Sequence, residues 1–454
     1  MRRTGVSTLA AHGPISLRRA DTDEHEPFSI MRRHLAAVTI VASLTFNLGL
    51  CFVNTRAFAT TDSIVMMAEM LIIGGAFLAA LSKRVDFFLL LVAYVSYMVL
   101  LFAMRGEIDL KGLRDVLIPI AFYFMGINVK SPKLGDALVV VAVILMLGFG
   151  LFEYLLLETY LDNFNVLGYF IARGSVDPAL TYGQTRGLFI SGMRPEPRTL
   201  LPFLGQHRVS SVMLEPVSAG NIGAICFGWA LFRNSMRWRY AVMAAALAIV
   251  IMADSRFGFL TCILMVFILP VYRFIPRTAW LVLPFLFLAV IAGFGLATGT
   301  DGGANDIVGR LKVTAALLTQ LDFAVVLGIQ TTAQFTADSG LAYTLTKFGL
   351  FGFIALWAVL AFAPVADKRA WAFHSMVMIY LLMLMLISNS FYSIKTGALL
   401  WFLLGTSNAT QWATYKLDDE RKQMEIARRN LRTARARDRM MPLRKRRSAP
   451  PQAR

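Results

Sequence analysis

Residues 208–221 read RVSSVMLEPVSAGN and run straight into IGAICFGWALF at 222–232. Arg208, Ser210, Ser211, Glu215 and Pro216 stand within about one and a half helical turns of a stretch apolar enough for lipid, where ionisable groups are costly unless they are used. The stretch sets two expectations: a helix that enters a membrane, and chemistry at the point of entry.

The rest of the chain fits such a membrane protein. Of 454 residues, 57% are hydrophobic and 16% charged, and the mean hydropathy is +0.60. This is too apolar for one water-soluble core to bury. Apolar segments long enough to cross a hydrocarbon layer of about 30 Å occur at approximately 35–54, 63–82, 86–104, 113–129, 135–158, 214–232, 239–254, 257–273, 279–298, 341–363, 371–389 and 392–411. An all-α polytopic protein with twelve spans is expected. Between the seventh and eighth, only Asp254, Ser255 and Arg256 intervene, which suits two short helices joined by a tight turn.

The division of the chain follows. Residues 1–34 form a polar tail, 35–411 the helical membrane domain, and 412–454 a basic tail with fourteen Lys or Arg against five acids. With both tails cytoplasmic, Lys83, Arg84, Lys130, Lys133, Arg233, Arg237, Arg239, Arg273, Arg277, Lys368 and Arg369 all fall on the cytoplasmic side, as the positive-inside rule requires. The net charge of +17 is therefore a topology signal and an attraction to anionic lipid, not a nucleic-acid surface. Two long segments, about 159–213 and 299–340, then lie outside, and loops of such length are usually functional or disordered. Within the second, Ile307, Leu311 and Leu318 predict a short surface helix. Cys51, Cys226 and Cys262 lie in apolar spans without metal or redox spacing. No metal or cofactor is expected.

On this topology Glu69, Arg105, Lys111, Arg114, Asp115, Glu153 and Lys395 join Arg208, Glu215, Asp254, Arg256, Arg310 and Asp338 near the outer face. A basic cavity open to that side is the expectation, suited to a diphosphate because a guanidinium matches phosphate oxygens in a bidentate fork. Arg256 has a structural alternative, an ion pair with Asp254. For Asp338 it is a helix cap.

The 208–216 stretch resembles the R-x-x-S-x-x-x-E-P segment of bacterial polysaccharide polymerases of the Wzy type, relatives of the O-antigen ligases. Ala253 to Arg256 resembles their serine-arginine turn, and Leu327 to Gly349 the segment closing their second large external loop. The ligase branch carries a histidine in that second loop and this chain has none there, which favours the polymerase branch. The resemblance implies a metal-independent glycosyltransferase of the bacterial inner membrane. It would join polyprenyl-diphosphate-linked repeat units of exopolysaccharide, capsule or O-antigen on the periplasmic face, alongside chain-length regulators and other assembly proteins. It implies Arg208, Glu215, Arg256 and Asp338 as catalytic residues, and Arg194, Arg198, Ser211 and Arg310 as substrate ligands. Two other functions fit the same layout less well: a ligase moving a finished glycan, and a transporter or flippase, which should carry polar groups at mid-span.

Overall fold

The computed structural model describes residues 26–82, 84–178, 185–193, 198–299, 307–332, 336, 338–416, 424 and 428. Lys83, Arg194, most of both tails and parts of both long loops lie outside them. The described chain is helical: α1 (Glu26–Arg56), α2 (Asp62–Ala80), α3 (Val85–Arg105), α4 (Leu110–Val129), α5 (Pro132–Leu155), α6 (Leu157–Asn163), α7 (Val166–Ala172), α8 (Pro216–Phe232), α9 (Arg239–Met252), α10 (Arg256–Val271), α11 (Arg277–Thr298), α12 (Ile307–Thr319), α13 (Phe323–Leu327), α14 (Gly340–Ala361), α15 (Lys368–Met385) and α16 (Ile394–Ala409). Each of the twelve apolar segments coincides with a helix, of 14 residues in α9 and up to 31 in α1. The expected short helix of the second long loop is α12.

Eight helices, α1 to α5, α10, α11 and α14, are long and apolar enough to cross a membrane. Helices α8 and α9 are apolar but shorter, and α15 and α16 carry His374, Ser375, Thr396, Thr406, Ser407 and Asn408, all buried. These polar groups are tolerable because α8, α15 and α16 face protein over nearly their whole length. By contrast α2, α3 and α11 bury few residues along their apolar windows.

Small residues let the central helices touch. A side chain at Gly126 of α4 would meet the Phe402 carbonyl of α16, and one at Gly405 the Tyr123 carbonyl, so neither position tolerates a Cβ without backbone movement. Thr406 Oγ1 donates to the Gly126 carbonyl across the same contact at 3.3 Å.

The two ends of the bundle differ. At one, short links join the helices, and Arg32 donates to the Leu81 carbonyl while Asn128 donates to that of Ala80. There Arg233 grips Asp136 in a two-point fork at 2.8 and 2.6 Å and lies over Trp412. At the other end the long loops gather: Arg56 bonds Asn163, Arg173 pairs with Asp62, and Arg105 of α3 reaches the Gly328 carbonyl.

Candidate functional site

At the loop end, Glu153 in the last turn of α5 is fully buried. Its carboxylate accepts from the backbone N–H of Ser210 at 3.0 Å and of Ser211 at 2.5 Å, and its Oε1 lies 2.9 Å from His207 Nε2. One acid thus satisfies the backbone of a loop that has no regular ladder of its own. Two residues of this loop, Ser211 (φ 53) and Leu214 (φ 59), occupy the left-handed region, as does Asp254 (φ 46) in the turn beside it. Non-glycine residues held there cost about 1–3 kcal/mol each and collect at functional sites.

Arg208 is buried and donates through Nε to the Ala253 carbonyl and through Nη1 to that of Ser191, both at 3.1 Å. Its backbone N–H donates to Gly192, and that of Val209 to Met252. Expected as a phosphate ligand, Arg208 instead ties its loop to the end of α9. Ser211, expected to touch substrate, is likewise internal, its hydroxyl donating to the Met146 carbonyl at 2.7 Å.

The turn between α9 and α10 organises the other half. Asp254 does not pair with Arg256: its Oδ1 accepts from the backbone of Thr199 at 3.1 Å and Leu200 at 2.9 Å. Ser255 caps α10 through Gly258 N, and its Cβ and hydroxyl fill the space a side chain at Gly220 of α8 would need. The segment entering from Arg198 is thereby fastened beside the N-terminus of α10, where Arg256 is the first residue. Arg256 is half-buried and has no ion-pair or hydrogen-bond partner among the described residues.

Arg198 is 1% exposed, and none of its three guanidinium nitrogens has a hydrogen-bond partner. The Tyr154 ring lies 5.6 Å from the guanidinium carbon. Burial pulls its pKa below the ordinary arginine range, opposed by Tyr154, Asp254 and Glu153. Buried cations normally have an acceptor, and among the described residues Arg198 has none.

Glu215 completes the assembly. It precedes Pro216 at the start of α8, and its carboxylate accepts from Lys395 Nζ at 2.6 Å and Ser218 Oγ at 2.7 Å. Burial would raise its pKa, but Lys395, Ser218 and Arg208 outweigh it and hold the carboxyl below its usual value. The bonding is to side chains, not to the helix backbone.

Arg310 and Asp338 pair with each other at 3.6 Å, with side chains 34% and 53% exposed. The cap of α14 is Ser339, which accepts from Ala342 N, and not Asp338. Arg194 lies outside the described residues. Among the described residues, Arg208 and Glu215 are engaged by other groups of the protein and Arg198 is enclosed.

A second polar group, not anticipated as a unit, sits on the same end. Arg114 of α4 bonds Glu69 of α2 and Asp115, whose other oxygen accepts from Tyr343 of α14. Asp109 caps α4 and pairs with Lys347 at 2.7 Å. The turn before α16 links both groups, since Tyr392 bonds Thr344 on one side and Lys395 holds Glu215 on the other. The signal available in sequence was the isolated acid in an apolar run, at Glu69, Asp115 and Glu153. No group of His, Cys, Asp and Glu among the described residues has the arrangement to hold a metal ion.

Compared with known proteins, the chain matches no family model, no curated protein and no solved structure.

Proposed function

We propose that the protein is a polysaccharide polymerase of the bacterial inner membrane, joining polyprenyl-diphosphate-linked oligosaccharides at the loop end, with twelve spans and both tails cytoplasmic. The observation that carries this reading is the pair of guanidiniums, Arg198 and Arg256, that have no partner among the described residues and are held on either side of the Asp254 contact. A diphosphate is the anion their fork geometry fits, and the end of the bundle that faces them is the one to which the distribution of Lys and Arg assigns the outer side.

In the reaction, an acceptor hydroxyl attacks the anomeric carbon of the donor sugar, the bond from that carbon to the diphosphate oxygen breaks, and lipid diphosphate leaves. Arg198 and Arg256 stabilise the charge that develops on the leaving oxygen. Glu215, ionised and oriented by Lys395 and Ser218, takes the hydroxyl proton. Arg208, Glu153 and Asp254 act as positioning residues that fix the strained loop and turn. Arg310 and Asp338 belong to the rim.

The experiment is deletion of the gene followed by analysis of the lipid-linked oligosaccharide pool. Polymerase loss leaves single repeat units on lipid at the outer face. Full-length polymer retained on lipid would instead identify a ligase, and units trapped at the cytoplasmic face a flippase.

A further inference from the structure

His207 stands where the segments of the first long loop meet. Its backbone forms an isolated bridge with Met193, and the next residue, Arg208, donates from its backbone to the Gly192 carbonyl. Two residues before His207, the carbonyl of Gly205 (φ 83) accepts from the Arg198 N–H at 3.1 Å and closes the 198–205 turn. The closure brings Arg198 and His207 to one aromatic ring. The Arg198 guanidinium carbon lies 5.6 Å from the centre of Tyr154, and the imidazole lies 6.1 Å from the same centre, tilted by 23°. Tyr154 follows Glu153 directly, so the last turn of α5 supplies both the ring and the acid.

Glu153 decides which imidazole nitrogen is left for chemistry. Its carboxylate already accepts from the Ser210 and Ser211 N–H groups. A carboxylate can only accept, so the 2.9 Å contact with His207 places the hydrogen of the neutral ring on Nε2. Nδ1 is then the basic atom. It has no hydrogen-bond partner among the described residues. The His207 side chain is 13% exposed and that of Glu153 0%, so solvent reaches the imidazole and not the acid behind it. When both ring nitrogens carry protons, Glu153 balances the charge, as a buried carboxylate does behind a catalytic histidine.

We infer that His207, held through Nε2 by Glu153, is the acid of the reaction and gives its Nδ1 proton to the leaving diphosphate beside Arg198. This role rests on the polymerase reading, in which Arg198 stabilises the leaving oxygen. As the bond from the anomeric carbon to that oxygen breaks, its electron pair stays on the oxygen, and the Nδ1–H of the imidazolium supplies the proton. The ring is left neutral with its hydrogen on Nε2 and regains a proton from water. Glu215 takes the acceptor's proton and returns it to water, so one group gives a proton and another receives one in each turnover. A histidine that served only to satisfy Glu153 needs Nε2 alone.

The test compares the full-length parent with His207→Gln in lipid nanodiscs. A glutamine amide N–H can reach Glu153 as Nε2–H does but puts no titrating atom at Nδ1, so a merely structural histidine would be replaced without loss. General acid catalysis contributes about 10²–10⁴ in rate, and His207→Gln is expected to elongate lipid-linked glycan at least about a hundredfold more slowly at an unchanged unfolding temperature. A second measurement reads the nitrogen itself, from ring nitrogen-15 histidine spectra of the parent with farnesyl diphosphate. The His207 signal is assigned by its absence from His207→Gln or, if that variant folds poorly, from His207→Asn. Farnesyl diphosphate is expected to add a proton to Nδ1 while Nε2 keeps its own, and farnesol to leave the ring unchanged. Elongation by His207→Gln at the parent's rate, or an Nδ1 that stays bare with farnesyl diphosphate, overturns the inference and leaves the polymerase reading standing. A parent that elongates nothing overturns both.

Discussion

Two buried arginines at opposite ends of the bundle separate structure from function. Arg233, 2% exposed, has both oxygens of Asp136 and lies over Trp412 and Tyr415. Arg198, 1% exposed, has an aromatic ring and no acceptor among the described residues. The short-link end is built this way more generally: Arg239 donates to two carbonyls ending α8, and Arg277 and Arg369 lie over Trp371 and Phe232. The loop end holds equally costly charge and leaves part of it without a partner among the described residues. A buried cation satisfied by its own chain is architecture, whereas one left wanting an anion points to a ligand.

The largest expected effect breaks the architectural member. Arg233→Ala leaves Asp136 without its partner, and removing one member of a buried pair costs about 3–5 kcal/mol. Folded yield and thermal unfolding in detergent should show it. Arg198→Met should do the reverse. Removing an unsatisfied buried charge and one aromatic contact should change stability by no more than about 1 kcal/mol, while polymer formation is lost. A strongly destabilised Arg198→Met would place that residue with Arg233.

Arg256 sharpens the contrast. Loss of charge-assisted contact to a leaving diphosphate is worth about 2–4 kcal/mol, a drop of roughly thirty- to a thousandfold in rate. Lysine keeps the charge and loses the fork, so Arg256→Lys should be nearly as damaging as Arg256→Ala at matched membrane abundance. Asp254→Ala should act differently, loosening the Thr199 and Leu200 backbone and lowering stability as well as activity.

The Glu215 and Lys395 pair gives a pH signature. The carboxyl is held below its unfolded value, so its contribution is present above about pH 4.3 and is lost as pH falls through the lower, folded value. Glu215→Gln should make the acid-side decline smaller than the parent's in a pH series of unfolding temperatures. The smallest effect is expected at Arg310: an exposed pair at 3.6 Å contributes about 0–1 kcal/mol, and Arg310→Ala should leave both unfolding temperature and polymer yield near those of the parent.

Helix placement was legible in the chain because lipid-length apolar runs are long and their boundaries charged. The tight turn at Asp254 to Arg256 was readable for the same reason. The side-chain roles were not. Arg208 and Arg256 look alike in sequence, each an arginine beside a span, yet one reaches carbonyls 17 and 45 residues away and the other reaches none among the described residues. Glu153 announces itself as an acid in an apolar helix, but its partners, the N–H groups of Ser210 and Ser211, lie 57 and 58 residues on. Local spacing carries no information about contacts closed over such distances. The shorter, more polar α15 and α16 are likewise explained only by their central position.

The most direct measurement is elongation of a purified lipid-diphosphate-linked repeat unit by the protein in nanodiscs, with release of lipid diphosphate followed for the parent, Arg198→Met and Arg256→Ala. The parent is predicted to lengthen the glycan and release lipid diphosphate, and both variants, folded and of normal unfolding temperature, to do neither. Elongation by both variants at the parent's rate, or no elongation by the parent, would contradict the assignment of the unpartnered arginines to a diphosphate.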